Sequence, residues 1–250
     1  RGTTSISANI FVGQTEAPLV IKPFISKMTN SELMAVMTGG FATVAGGVMA
    51  IYVGMLQNVP GIAGHLMAAS IMSAPAALVI AKIIYPEKNK ENINTKIDIP
   101  IDKNKDNILE ALGNGATDGL RLAANIAAML IAFVALISLT NFILNIFGTS
   151  LEIILGYIFM PLAFLMGAPW SEAGILGSLL GQKLVLTELI AYMNLSAMEV
   201  GGVNGISEKT AILASYALCG FANFASIGIQ LGGIGSIAPE RKKDLAKLVT

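Results

Sequence analysis

Gly40-Phe41-Ala42-Thr43-Val44-Ala45 and Gly220-Phe221-Ala222-Asn223-Phe224-Ala225 are two copies of one motif. Each lies in a run without charge, Leu33–Leu56 and Ala211–Pro239. Each run is entered through a Ser-Glu pair, Ser31-Glu32 or Ser207-Glu208, and ends near a proline, Pro60 or Pro239. Each follows an apolar segment whose polar tip carries Gly-Gln, at Gly13-Gln14 and at Gly181-Gln182. Four landmarks in one order define an internal repeat, a broken hairpin followed by a long apolar helix.

The composition around the repeat is that of a membrane protein. Hydrophobic residues make up 54% of the 250 and charged residues 13%, with a mean hydropathy of +0.70. A soluble domain carries about 25% charge, because its surface has to be wetted. Sixteen basic and sixteen acidic residues cancel, so no net field draws nucleic acid. Cys219 and His65 are single, which excludes an internal disulfide and a zinc cluster. The chain opens at Arg1 without a methionine and stops at Thr250, soon after Pro239–Lys243 begins a further amphipathic or membrane segment. It reads as a fragment of a longer chain.

A spanning helix needs about 20 mainly apolar residues. Besides the two repeat helices, Gly61–Ala81 and Leu122–Phe147 meet that length. Pro86–Asn107 is a polar loop with balanced lysines and acids, and Asn107–Gly119 reads as a surface helix. Ile6–Ile25 is interrupted at Gly13-Gln14-Thr15-Glu16-Ala17-Pro18, and Glu172–Met198 at Gly181-Gln182-Lys183. Broken backbone is tolerated at membrane depth only under a cover of protein or in a water-filled cavity, so both read as re-entrant helical hairpins. Leu151–Gly167, short and broken by Pro161, reads as an interfacial helix. The organisation expected is a first repeat over 1–84, polar loop and surface helix over 85–118, a span over 119–148, an interfacial helix over 149–170 and a second repeat over 171–250. If hairpins and interfacial helix do not cross, the repeat helices are the first and fourth crossings and run oppositely. The expected fold is an all-α integral membrane protein of inverted repeats with discontinuous helices, its substrate site near the midplane.

Glu16 and Glu188 are carboxylates inside apolar hairpins. An ionised group at bilayer depth costs about 2.5–3.5 kcal/mol on insertion scales, so such acids mark a pathway or are satisfied by backbone amides or a lysine such as Lys22 or Lys183. Glu152, Glu172 and Glu199 lie at segment ends and read as interfacial. Gln14, Thr15 and Asn223 are neutral groups that either pair with a polar ligand or cap freed backbone. Twelve methionines spread over the spans read as packing. No GxSxG, Walker loop or HExxH occurs, which leaves no ground for an enzyme.

Gly13–Leu19, Met37–Gly46, Ala128–Phe133, Gly167-Ala168-Pro169-Trp170 and Tyr216–Phe224 together resemble the concentrative nucleoside transporter family. The likeness covers the chain except its polar loop. It implies cation-coupled symport of nucleosides across the plasma membrane (the inner membrane in a bacterium), by an elevator-like alternation of a mobile domain in a homotrimer. It implies that Gln14 and Thr15, with Glu188, meet the nucleobase. Glu16, Asn223 and Ser226 would meet the ribose, with Val48 and Phe221 packing on the ligand. A sodium ion would be held by Asn9 and the Thr43 hydroxyl with the carbonyls of Val12 and Val44; no other cofactor is implied. The chain departs from many relatives at Thr187, where they have Asn, which bears on base preference. Proton coupling, with Glu188 as the carrier, and a nucleoside-gated receptor or channel are the alternatives. Arg121–Phe147, with no broken tip, is expected to be static scaffold bordering the trimer contact, with nothing in it built to hold substrate.

Overall fold

The computed structural model describes residues 2–88, 108–201 and 205–249; most of the expected polar loop, 89–107, lies outside them. The described residues are helical: α1 (Gly2–Asn9), α2 (Ala17–Val20), α3 (Lys22–Ile25), α4 (Asn30–Ala42), α5 (Gly46–Met55), α6 (Ile62–Ile84), α7 (Ile108–Asn145), α8 (Leu151–Leu165), α9 (Trp170–Val185), α10 (Glu188–Ser196), α11 (Glu208–Leu218), α12 (Phe224–Ile237) and α13 (Lys242–Val249). Twice a broken hairpin is followed by a broken helix: α1 to α3 then α4–α5, and α9–α10 then α11–α12.

The helix starts follow from local capping. Thr29 caps α4 by accepting from the Glu32 amide while Glu32 accepts from the Thr29 amide, the reciprocal box that satisfies two orphan donors. Ser207 caps α11, Thr187 caps α10 and Asn223 caps α12, each accepting from the amide three residues on. The equivalence expected between Ser31-Glu32 and Ser207-Glu208 is therefore offset, since Ser207 is a cap whereas Ser31 is already inside α4. The motif copies are offset too: the first break is 43–45, after Gly40, whereas Gly220 lies within the second, 219–223.

Three helical stretches are long and apolar enough to cross a membrane: Asn30–Met55 counted through its break, Ile62–Ile84 and Leu112–Asn145. The expected fourth span, Ala211–Pro239, is divided by the break at 219–223 into two shorter helices. Three further expectations are corrected. Gly181-Gln182-Lys183 is not a hairpin tip but lies inside α9, and the tip is Leu186-Thr187. Gly181 and Gly177 are packing positions: a Cβ would stand 2.7 Å from the Glu152 carbonyl oxygen or 2.6 Å from that of Gly156, so α8 lies close along α9. Pro161 does not break α8, and the surface helix is continuous with the following span as the 38-residue α7.

Two buried clusters hold the elements. One joins Tyr52 of α5 and Leu56 just after it, Leu66 of α6, Leu176 of α9, Tyr192 of α10 and Leu218 of α11. The other joins Ile25 of α3, Leu33 and Met37 of α4, Ile234 of α12 and Leu245 of α13. Both breaks are thus packed within protein, the condition for irregular backbone at membrane depth.

Candidate functional site

The first hairpin turns at Gly13, whose φ is 111°; a Cβ there would lie 2.8 Å from Oε2 of Glu16. The positive φ is what requires glycine, since the Glu16 carboxylate is the end of a flexible side chain and could swing away. The turn presents Gln14, Thr15 and Glu16 together, with the Thr15 hydroxyl donating to Glu16 Oε2 at 2.7 Å. The second hairpin turns at Leu186-Thr187 and presents Glu188 as the first residue of α10. Thr-Glu is thus the shared signature of the tips, at Thr15-Glu16 and Thr187-Glu188.

The polar groups form one chain across the site. Tyr52 donates to Glu188 Oε1 and Asn223 Nδ2 to Glu188 Oε2, both at 2.9 Å. Asn223 Oδ1 accepts from the Ser226 amide at 2.7 Å. Gln14 Nε2 donates to the Ser226 hydroxyl at 3.3 Å, and Gln230 Nε2 donates to Gln14 Oε1 at 3.3 Å and to the Met37 carbonyl at 2.9 Å. Hydrogen bonds to a charged group are the stronger kind, so a buried Glu188 between two donors is held in place. Its oxygens keep lone pairs for a ligand.

Gln14, Thr15, Glu16, Val48, Glu188, Phe221, Asn223 and Ser226 all line one cavity of about 320 Å³, joined by Ile126 and Leu130 of α7. That size falls at the lower end of small-molecule pockets, about 300–1,000 Å³. The α7 contribution differs from the expectation that this helix takes no part at the site. Its cause lies in α12, where Gly228 and Gly232 stand one helical turn apart. A Cβ on them would meet the Met129 carbonyl oxygen at 3.1 Å or that of Asn125 at 3.0 Å. Small residues at that spacing let two helix backbones approach, which carries Ile126 and Leu130 over the cavity.

A second polar cluster lies behind the first tip. Asn9 Nδ2 donates to the Gly39 carbonyl at 2.7 Å and to the Thr43 hydroxyl at 2.6 Å. Asn9 Oδ1 is buried with no partner. An unpaired buried acceptor costs about 1–3 kcal/mol, so this oxygen keeps a capacity that a hard cation would use, while the Nδ2 end of the same amide faces the Thr43 hydroxyl. The Phe11 carbonyl accepts from the Gly46 amide at 2.9 Å, bringing the stretch that includes Val12 against the break that includes Val44.

Tyr52, Gln230, Ile126 and Leu130 were not legible as site residues. Gln230 offered a signal, as the one amide in the otherwise nonpolar Phe224–Ile237 apart from its two serines. Tyr52, Ile126 and Leu130 offered none.

Residues 65–250 match the family model described as "Na+ dependent nucleoside transporter C-terminus". The chain is 48% identical over 97% of its length to the "Uncharacterized transporter YutK" of Bacillus subtilis, of which it covers 60%. It is 41% identical over 99% of its length to "Sodium/nucleoside cotransporter 2" of Rattus norvegicus, of which it covers 40%. Among solved structures it resembles a variant of CNTnw in an outward-facing state, with 44% identity and a TM-score of 0.86 over 99% of this chain and 59% of that one. Against CNTnw "in an inward-facing substrate-bound state" the identity is 46% and the TM-score 0.76, over 98% of this chain and 58% of that one. The chain therefore spans about two fifths to three fifths of the proteins it matches, and its apolar helices are those of a multi-pass membrane protein. By the family model and these relatives together, the chain belongs to the concentrative, Na+ dependent nucleoside transporter family.

Proposed function

We propose that the chain is the substrate-handling part of a transporter that moves nucleosides across the plasma membrane, or a bacterial inner membrane, in symport with sodium. The observation that carries this reading is that both hairpin tips and the second helix break converge on one cavity, where the buried carboxylate of Glu188, the exposed one of Glu16, two amides and three hydroxyls face apolar walls. Nucleosides combine a polar base edge, a flat apolar ring and a vicinal diol. The homotrimer and the elevator-like alternation belong to the same proposal.

The hydrogen-bond pairing supports a division of roles that differs from the one expected from the family. Glu188, not Glu16, is the carboxylate bonded to Asn223. Glu188 and Asn223 together offer an acceptor and a donor to the ribose hydroxyls, with Ser226 beside them. Gln14, Thr15 and Glu16, on the opposite tip, then meet the base edge, where an amide and a hydroxyl answer both donors and acceptors. Val48 and Phe221 supply apolar contact. Sodium sits at Asn9 and Thr43, with the carbonyls of Val12 and Val44 completing the shell. Burial of an oxygen acceptor without a partner, Asn9 Oδ1, supports this site.

The test uses full-length protein in liposomes with uridine as the probe. An imposed inward sodium gradient is expected to concentrate uridine above equilibrium. Accumulation driven only by a pH gradient reassigns the coupling to protons. Equilibration without accumulation under either gradient rejects symport in favour of a gated channel.

A further inference from the structure

Lys183 is a buried lysine in α9, and among the described residues it forms no ion pair. Its ammonium donates to the carbonyl of Ala217 at 2.9 Å and to that of Cys219 at 3.4 Å. These carbonyls lie at the C-terminal end of α11, at the second break. A helix leaves its last carbonyls without amide partners, and they carry the negative end of its dipole.

The first break has the same construction with different chemistry. Asn9, at the end of the first hairpin's leading limb, reaches the Gly39 carbonyl in the last turn of α4 and the Thr43 hydroxyl. Lys183 likewise belongs to the last turn of the second hairpin's leading limb, α9. Asn9 leaves an acceptor over, because its Oδ1 has no partner. Lys183 brings only donors and a full positive charge. The two helix ends also adjoin, since a Cβ on Gly220 would lie 2.7 Å from the Ala42 carbonyl oxygen. Two negative helix ends so close call for positive charge at each.

We infer that Lys183 is a resident cation: its ammonium holds, at the second break, the place that the coupling ion takes at the first. The inference rests on the sodium reading of Asn9 and Thr43. It makes the two repeats unequal in function. One break takes an ion from solution and gates on it, while the other is permanently neutralised, so the pair of breaks yields one exchangeable ion.

The experiment uses full-length protein in nanodiscs, titrated with sodium. Uridine binding is one readout, and sodium-dependent thermal unfolding without uridine is the other. The wild type is expected to show a sodium steepness of about one, and Lys183→Ala, which vacates space between the carbonyls, about two. Lys183→Ala should also lose uridine affinity at low sodium by about tenfold or more and regain it as sodium is raised. Lys183→Met, which fills the space without charge, should lose the same affinity with no rescue. Wild-type behaviour of Lys183→Met in both readouts overturns the inference, as does a Lys183→Ala loss that sodium cannot restore. Should Lys183→Met fail to fold, Lys183→Arg decides. Folding with wild-type steepness supports the role of the charge, and failure alike overturns it. Wild-type uridine binding that ignores sodium removes the coupling reading itself, and is seen before any variant is made.

Discussion

Gly220 rests against the carbonyl oxygen of Ala42, so that a Cβ at position 220 would stand 2.7 Å from that oxygen and 2.9 Å from that of Phe41. The two helix breaks, far apart in sequence, thus touch through bare backbone. The φ of Gly220 is 109°, a conformation that costs a side-chain-bearing residue about 1–3 kcal/mol before any clash is counted. Neither oxygen is the end of a flexible side chain, so relief requires one break to move. Phe221 and Asn223, which line the cavity, are carried on the same turn.

Gly220→Ala is therefore expected to lower thermal stability by at least about 2 kcal/mol and to abolish uridine binding. Gly47→Ala, where a Cβ meets nothing within 4 Å, is the control and should be neutral or slightly stabilising. Thermal unfolding and uridine binding on both variants check this. Equal behaviour of the two would mean that the contact between the breaks is not what fixes them.

Glu188 and Glu16 are expected to fail differently. Glu188→Gln keeps the shape but removes the charge that accepts from Tyr52 and Asn223. A charge-assisted hydrogen bond is worth about 1.5–3 kcal/mol, roughly ten- to a hundredfold in affinity. Uridine affinity should fall by that factor, and the preference for uridine over analogues lacking ribose hydroxyls should vanish. Glu16→Gln should instead change the ratio of uridine to adenosine uptake while keeping the dependence on ribose hydroxyls. Competition uptake with a nucleoside panel measures both. Loss of the ribose preference in Glu16→Gln alone reverses the assignment.

The polar lining of the cavity is legible in the sequence and its supporting shell is obscure, for physical reasons. Glu16, Glu188, Gln14 and Asn223 are visible because polar groups in apolar hairpins and spans are costly and need a reason. The second tip was misplaced because Gly181-Gln182-Lys183 has the composition of a turn, while its glycine serves the approach of α8 and its lysine the end of α11. Glycine marks close backbone approach and chain reversal alike, and only the partner distinguishes them. Pro161 is ambiguous for a related reason, since a proline inside a helix need not end it. Ile126 and Leu130 carry no local signal at all, because apolar periodicity does not separate a cavity wall from a lipid contact.

Asn9→Ala is expected to act on sodium rather than on nucleoside. The variant removes the unpaired acceptor Oδ1 and the donor to Gly39 and Thr43. If Oδ1 is an ion ligand as proposed, its loss should raise the sodium concentration for half-maximal uridine uptake by about tenfold or more, by analogy with a lost hydrogen bond to charge. At saturating sodium the uridine affinity should return towards wild type. Thr43→Val, which removes the hydroxyl but keeps the shape, should act in the same direction. A sodium titration of uptake at several uridine concentrations separates the two effects. An unchanged sodium requirement in Asn9→Ala removes this residue from the ion site.

Arg241 offers a prediction about stability alone. Its guanidinium donates to the carbonyls of Ile25 at 3.2 Å, Ser26 at 3.3 Å and Met28 at 2.6 Å, and to Asn30 Oδ1 at 2.8 Å. It is also paired with Asp244 at 2.8 Å. One side chain, in the turn just before α13, thus ties that turn to the stretch from the end of α3 to the start of α4. Arg241→Met leaves those carbonyls without their donor. Each buried unsatisfied group costs about 1–3 kcal/mol, discounted where water reaches it, so a loss of about 2–4 kcal/mol is expected. Arg241→Lys keeps the charge but not the planar fork that serves several acceptors at once, and should fall between. Lys243→Ala, at an exposed neighbouring position, should be neutral. Because none of these residues lines the cavity, uridine affinity measured below the unfolding transition should be within about twofold of wild type. Thermal unfolding of the three variants in nanodiscs, alongside uridine binding, checks both halves. A large loss of affinity in a fully folded Arg241→Met protein would show that the end of the first hairpin is coupled to the cavity, and that Arg241 does more than hold the fold.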